Sequence, residues 1–90
     1  MLKVVFSSSF KNDFKLAKKR KFDIKLLNEV IDKLANQEKL DPKYKDHKLS
    51  GKYKDYRECH IKPDWLLIYK IENDELELFL LRTGTHSDLF

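Results

Sequence analysis

The sequence predicts an α+β domain in which two N-terminal helices pack on one face of an antiparallel sheet. Apolar residues recur at helical spacing in the N-terminal half, and strands separated by turn residues fill the C-terminal half. Ninety residues without a linker or repeat suit a single domain, residues 1–90. The predicted element order is β-α-α-β-β-β.

The N-terminal half begins with a short β-branched strand at 3–6, followed by two helices. The serines at 7–9 offer N-cap chemistry for the first helix, and Asp23 offers it for the second. The apolar stripes behind these caps are Phe10, Phe14 and Ala17 in the first helix, and Leu27, Val30, Ile31 and Leu34 in the second.

The C-terminal half predicts three strands, at about 53–61, 65–71 and 76–82. Lys62-Pro63-Asp64 and Asn73-Asp74 are turn signals, so the three strands form two successive hairpins. The middle strand is apolar along most of its length, which predicts the most buried position in the sheet.

Alternation along the first of these strands predicts which side chains face the helices. If Cys59 faces the core, Glu58 and His60 face outward, away from the helices. Two further histidines lie elsewhere, His47 in a lysine-rich loop and His86 in a polar tail after the last strand. The functional interpretation therefore depends on whether the three histidines meet.

Charge is distributed unevenly along the chain, whose formal net charge is +4. Acidic residues concentrate at 72–77, whereas basic residues concentrate at 18–21 and between Pro42 and Lys62. The second basic cluster comprises Lys43, Lys45, Lys48, Lys52, Lys54, Arg57 and Lys62. Such asymmetry is typical of a phosphate-binding surface, although lysines on a small domain also serve simply as a solvated surface.

Metal-independent RNA cleavage needs a base for the 2′-hydroxyl, an acid for the departing 5′-oxygen and cations for the phosphate. Imidazole suits proton transfer near neutral pH. The candidates for acid and base are His47, His60, Asp64 and His86, and those for RNA contact are Arg82, Lys52, Lys54, Arg57, Trp65, Phe90 and Glu58. Each histidine alone also has a plain structural or solvent-exposed interpretation.

Other chemistries find little support. One cysteine excludes an internal disulfide framework, and Cys59 is expected to be a small buried hydrophobe. No P-loop, nucleophile elbow, Cys-x-x-Cys pair or His-x-x-x-His pair occurs. We expect no cofactor, no metal and no membrane segment, and a cytoplasmic location, because the apolar runs are too short for a signal peptide or a membrane span.

Three segments resemble the YafQ branch of the RelE/ParE toxin superfamily. They are RECHI at 57–61, PDWLLIY at 63–69 and RTGTHSDLF at 82–90. The resemblance implies a RelE-like microbial RNase fold over the whole chain. It also implies a type II toxin that cleaves mRNA, typically on a translating ribosome, and that a cognate antitoxin silences.

The same resemblance implies roles for particular residues. The family's catalytic positions fall on His47, His60, Asp64 and His86. We expect His86 to be the general acid, His47 or Asp64 the base, and His60 a positioning or charge-stabilising group. Arg82 matches a position for the scissile phosphate, Phe90 closes the site, and Lys52 and Lys54 stand where other branches carry catalytic lysines.

Two alternatives from other functional classes stay open at this point. A toxin of the same fold can act by binding protein, as gyrase poisons do, without catalytic histidines. A zinc-binding or purely interacting domain can instead use His47, His60, His86 and Cys59. Three histidines plus Asp64 argue against the first alternative, and irregular spacing and a single thiol make the second weak.

Overall fold

The computed structural model describes residues 1–90 and contains one five-stranded sheet and three helices. The elements are β1 Lys3–Phe6, α1 Ser8–Lys19, α2 Ile24–Ala35, β2 His47–Lys48, β3 Arg57–Lys62, β4 Trp65–Glu72, β5 Glu77–Gly84 and α3 His86–Leu89. Two short 3₁₀ turns, Pro42–Tyr44 and Gly51–Tyr53, flank β2. None of the helices has the length and apolar composition needed to cross a bilayer.

The strand order across the sheet is β1-β5-β4-β3-β2, with β4 in the centre. Strands β2 to β5 pair antiparallel, whereas β1 pairs with β5 in parallel, Lys3 lying opposite Glu77. The sheet is therefore mixed, and the prediction of a purely antiparallel sheet was wrong for its first strand. Both helices and three strands separate β1 from its partner, so no local turn signal specifies their relative direction.

The two long helices cover one face of the sheet, as predicted. Ser7 caps α1 by accepting from the amide of Phe10 at 2.8 Å, and Asp23 caps α2 by accepting from Lys25 at 3.1 Å. Their apolar stripes pack on side chains of the central strands, namely Cys59, Ile61, Trp65, Leu67, Tyr69, Leu78 and Leu80. On the opposite face a smaller cluster joins Leu66, Ile68 and Leu89.

The structure departs from the prediction at four places. The histidine loop contains the two-residue strand β2, which adds an edge to the sheet. The predicted polar tail contains α3. The predicted strand at 53–61 begins only at Arg57, because residues 51–53 form a 3₁₀ turn. Leu76 has φ 53° and belongs to the turn before β5 rather than to the strand.

Helix α1 continues along the edge of β5 where β1 ends. The Ser7 amide donates to the Leu80 carbonyl at 3.0 Å, and the Ser7 hydroxyl donates to the Leu81 carbonyl at 2.7 Å. Leu81 is an extra residue in the β4–β5 ladder, since Ile68 pairs with Arg82 and Tyr69 pairs with Leu80. This bulge and the helix together hold the end of β5, from which α3 starts.

Candidate active site

The three histidines meet on the face of the sheet opposite α1 and α2. His47 comes from β2, His60 from β3 and His86 from the first turn of α3. The ring centroids of His47 and His60 lie 6.2 Å apart, and those of His60 and His86 lie 5.8 Å apart. The imidazoles therefore form a row with His60 in the middle, a juxtaposition on which the sequence interpretation depended.

Glu58 lies beneath the first two imidazoles. Its Oε1 is 3.5 Å from Nε2 of His47 and 3.7 Å from Nε2 of His60. The residue is only 5% exposed, and its Oε2 has no hydrogen-bond partner. Glu58 lies on the predicted face of the sheet, opposite the helices. The expectation that it points outward to RNA was wrong. The physical reason is β2, whose His47 pairs directly opposite Glu58 and covers it.

Backbone carbonyls determine how the first two imidazoles are oriented. Nδ1 of His47 lies 2.7 Å from the carbonyl oxygen of Lys45, and Nδ1 of His60 lies 3.3 Å from that of Pro63. A carbonyl oxygen only accepts, so Nδ1 carries the proton in both rings. Each Nε2 is then free to take a proton beside the Glu58 carboxylate.

His86 pairs with the second carboxylate of the site. Oδ1 of Asp64 accepts from the backbone amide of His86 at 2.9 Å and contacts its Nδ1 at 2.6 Å. These bonds hold the pKa of Asp64 below its usual range. Both side chains are more than half exposed, so the imidazole is oriented by a carboxylate while its Nε2 stays accessible.

Helix α3, which carries His86, is held in place by a capping box and by an ion pair to α1. Thr85 and Asp88 form a reciprocal capping box, and Arg20 at the end of α1 donates two hydrogen bonds to Asp88, at 2.6 and 3.2 Å. Arg20 and the amide of Thr85 hold the pKa of Asp88 well below its usual range. Gly84 permits the close approach, since a Cβ there would lie 2.9 Å from a carboxylate oxygen of Asp88.

Two groups of candidate RNA contacts lie near α3, the helix that carries His86. Arg82 donates to Asp13 on α1 at 2.7 and 3.1 Å, and this pairing raises the pKa of its guanidinium. The ammonium of Lys52 lies 5.4 Å from the ring of Tyr53, which packs edge-on against Phe90 at 5.9 Å. Phe90 is 65% exposed, so an aromatic face and a cation stand together beside α3.

Three other candidates are not brought into the row. Trp65 is 3% exposed, donates to the Thr83 hydroxyl at 3.0 Å and packs against the helix side of the sheet. It cannot stack on a base, so that prediction was wrong. Arg57 faces the helix side as well and pairs with Asp46 at 3.0 Å. Lys54 is exposed and forms no ion pair.

A lysine-rich cleft of about 590 Å³ adjoins His60. It runs beside the 3₁₀ turn at 42–44 and the end of β3, and its lining side chains are Leu26, Lys43, Tyr44, Lys45, His60, Ile61, Lys62 and Pro63. None of its three lysines forms an ion pair, so the cleft keeps the positive potential that favours binding of a phosphate backbone. His47, Glu58 and His60 are also the side chains in the structure whose donor atoms lie close enough to share a metal ion.

Comparison with known proteins identifies the family. A family model described as the bacterial toxin of type II toxin–antitoxin system, YafQ, matches residues 2–90. The chain belongs to this YafQ family. The mRNA interferase toxin YafQ of Escherichia coli (strain B / BL21-DE3) is 44% identical over 88 residues, which cover 97% of this chain and 94% of the relative.

Solved structures agree with this assignment. A metal-bound toxin from Helicobacter pylori is 52% identical, with a TM-score of 0.94 and full coverage of both chains. The toxin in the E. coli DinJ–YafQ complex is 42% identical, with a TM-score of 0.89 over 100% of this chain and 99% of that chain. The predicted YafQ resemblance and RelE-like α+β fold are thereby confirmed.

Part of the site of this YafQ-family toxin was missed by the sequence analysis. The Arg20–Asp88 pair and the Asp13–Arg82 pair each join residues 68 or 69 positions apart, so no local pattern announces them. The helix α3 did leave a signal, because Thr85 and Asp88 stand at the spacing of a capping box. Cys59 is fully buried as predicted, and burial raises the pKa of its thiol.

Proposed function

We propose that this chain is the toxin of a type II pair and cleaves mRNA by metal-independent acid–base catalysis. The observation that carries the proposal is the row of three imidazoles, each with an Nδ1 partner and each beside a carboxylate. Imidazoles held in this way supply the proton donor and proton acceptor that phosphodiester transfer requires.

In the proposed reaction His86 is the general acid. Asp64 holds Nδ1–H of the ring, so that protonated His86 presents Nε2–H to the substrate. Exposure of the ring leaves room for the departing 5′-oxygen, which takes this proton as the P–O5′ bond breaks. Asp64 acts by orienting His86, because a carboxylate that already accepts two hydrogen bonds and has a lowered pKa is a weak base.

His47 is the proposed base. Its Nε2 takes the proton of the 2′-hydroxyl while O2′ attacks phosphorus, and the resulting imidazolium faces the carboxylate of Glu58. His60, between the other two rings, stabilises the negative charge on the phosphate together with Arg82 and Lys52. Phe90 and Tyr53 offer aromatic faces to an unpaired base. The products are a 2′,3′-cyclic phosphate and a 5′-hydroxyl.

Removal of one proton donor tests the mechanism. His86→Ala should lower the single-turnover cleavage rate by roughly 10²–10⁴-fold, the usual contribution of a general acid. Binding of a 2′-deoxy RNA analogue, which cannot be cleaved, should stay within about twofold. Cleavage by the wild type should persist in EDTA and yield the cyclic phosphate.

Ser87→Ala is the matched control, because Ser87 is an exposed neighbour on the same short helix. Its cleavage rate should equal that of the wild type. Full activity of His86→Ala would remove this residue from the mechanism. Growth arrest by a wild-type chain that cuts no RNA would instead favour a toxin that acts by binding protein.

The proposed partners are a cognate antitoxin, mRNA and the ribosome. The antitoxin is proposed because this family belongs to type II pairs and the E. coli relative is found in a DinJ–YafQ complex. An acidic antitoxin segment would fit the lysine-rich cleft beside His60. Co-expression with the neighbouring reading frame should relieve growth arrest, and the affinity of the complex should fall as salt rises.

A further inference from the structure

We propose that Asp46 is a positioning residue that anchors strand β2 from the helix side of the sheet and so holds His47 in place on the opposite side. The inference rests on the role proposed above for His47 as the base. The partners of Asp46 are Arg57 and Tyr69, which lie outside the histidine row and act on His47 only through this anchor.

Strand β2 has few contacts of its own. It consists of His47 and Lys48, both exposed, and it pairs only with β3 at the edge of the sheet. A strand of two residues makes few backbone hydrogen bonds and buries little apolar surface, and such segments open locally at a low cost in free energy. The position of His47 therefore depends on side-chain contacts beside the strand.

Asp46, the residue before β2, makes two such contacts. Its Oδ2 accepts from the guanidinium of Arg57 at 3.0 Å, and its Oδ1 accepts from the hydroxyl of Tyr69 at 2.5 Å. Tyr69 is 1% exposed and lies in β4, the central strand. Hydrogen bonds to an ionised carboxylate are about twice as strong as those between neutral groups. Asp46 thus joins the edge of the sheet to its most buried strand.

Asp46 and His47 reach opposite faces of the sheet, because side chains alternate along an extended chain. Asp46 reaches Tyr69, which packs in the main core on the helix side. His47 lies on the other side, where its Nε2 is 3.5 Å from Oε1 of Glu58. Loss of the Asp46 contacts would free the chain at 46–47 to rotate, and the imidazole would then leave its position over Glu58.

The same anchor holds the carbonyl that orients the imidazole. Nδ1 of His47 lies 2.7 Å from the carbonyl oxygen of Lys45, in the peptide group that joins Lys45 to Asp46. Lys45 has φ 48° and ψ 42°, a left-handed conformation that is unfavourable for a residue with a Cβ. Such a conformation persists only where neighbouring contacts maintain it, and those of Asp46 are adjacent in the chain. Without Asp46 the His47 ring should lose both its position and its fixed tautomer.

Nuclear magnetic resonance of Asp46→Asn without RNA tests the anchor. The substitution keeps the size of the side chain and removes the charge that Arg57 binds. Long-range proton–nitrogen spectra of the neutral imidazoles should show His47 changing from the Nδ1–H tautomer to a mixture, while the ring of His86 stays unchanged. Hydrogen exchange should accelerate at residues 45–49 and remain slow in β4.

Asp55→Asn is the matched control, because Asp55 is an exposed carboxylate in the turn before β3 and its loss changes net charge equally. It should leave the His47 tautomer, the exchange rates and the cleavage rate as in the wild type. Circular dichroism checks the fold of each variant. Tyr69→Phe removes a single hydroxyl, so it should retain the fold and give the same changes as Asp46→Asn in smaller degree.

Single-turnover cleavage tests whether the anchor serves the chemistry. Asp46→Asn should lower the rate by about 10- to 10²-fold, because misplacing a reacting group by about an ångström has a cost of that order. Binding of the 2′-deoxy analogue should stay within about twofold. In a His47→Ala background the same substitution should change the rate by less than about twofold, because no base is left to position. Arg57→Lys should retain more of the rate than Arg57→Ala, since lysine keeps a positive charge beside Asp46.

Two results would overturn the proposal. One is an unchanged His47 tautomer with unchanged exchange in folded Asp46→Asn. The other is an equal loss of rate in the wild-type and His47→Ala backgrounds, which would mean that Asp46 does not act through His47. A displaced His47 ring in Asp46→Asn, together with full cleavage by His47→Ala, would instead refute the base role in the proposed function and leave the anchor itself intact.

Discussion

The buried carboxylate of Glu58 provides the sharpest test of the relation between stability and chemistry in this site. We expect Glu58→Gln to make the protein more stable and less active. The substitution preserves shape and removes the charge. Its amide also supplies an N–H donor to an Nε2 lone pair of His47 or His60, where the carboxylate supplies only lone pairs.

The size of the expected gain in stability follows from the contacts of the two carboxylate oxygens of Glu58. Oε2 is buried without a partner, which costs about 1–3 kcal/mol. Oε1 approaches two imidazoles at 3.5 and 3.7 Å, beyond hydrogen-bond range, and these contacts together return about 1 kcal/mol. Glutamine keeps a buried polar atom at this position but removes the charge, which is the costlier part of the burial, so the expected net gain is about 1 kcal/mol, or about 4–8 °C in Tm for a domain of this size.

Urea unfolding in the presence of EDTA measures the stability, and single-turnover cleavage measures the chemistry. Cleavage should fall by about 10²-fold or more, because the imidazolium at His47 loses its counter-charge. Glu75→Gln is the control, since Glu75 is exposed and its loss changes net charge equally. A Glu58→Gln variant that is less stable by about 1 kcal/mol (a fall of about 0.3–1 M in the urea midpoint) or that cleaves normally would refute the reasoning.

Three further predictions concern the contacts that position the site. Arg20→Ala should lower kcat several-fold with little change in KM or Tm, and Arg20→Lys should restore part of it, because the bidentate ion pair with Asp88 holds α3 in place. Thr83→Val should cost about 2–4 kcal/mol in urea unfolding, since it leaves the Trp65 indole and the Leu66 carbonyl unpaired in the core. The stability advantage of the wild type over Asp88→Asn should be full at pH 7 and shrink below about pH 4, because a carboxyl whose pKa is depressed on folding stabilises only while ionised; an advantage that is constant down to pH 3 would contradict it.

The sequence by itself was sufficient to predict the features that depend on residues close together in the chain. Helical stripes, the caps at Ser7 and Asp23 and the turn at 62–64 are local patterns, and the structure follows them. Alternation assigned Glu58 and His60 correctly to one face of β3, because side chains of a strand point to opposite sides in turn. The family resemblance then supplied the expectation that His47, His60 and His86 belong to one site.

Only the tertiary structure decided how deeply each side chain is buried, in which direction β1 runs and which distant residues pair. Alternation gives the face of a residue but not what covers it, so the burial of Glu58 under β2 and of Trp65 under the helices was inaccessible from the pattern. The parallel pairing of β1 and the link from Arg20 to Asp88 depend on residues about seventy positions apart. Contacts at that separation form only when the whole chain packs, because their stability comes from surfaces that no local segment possesses.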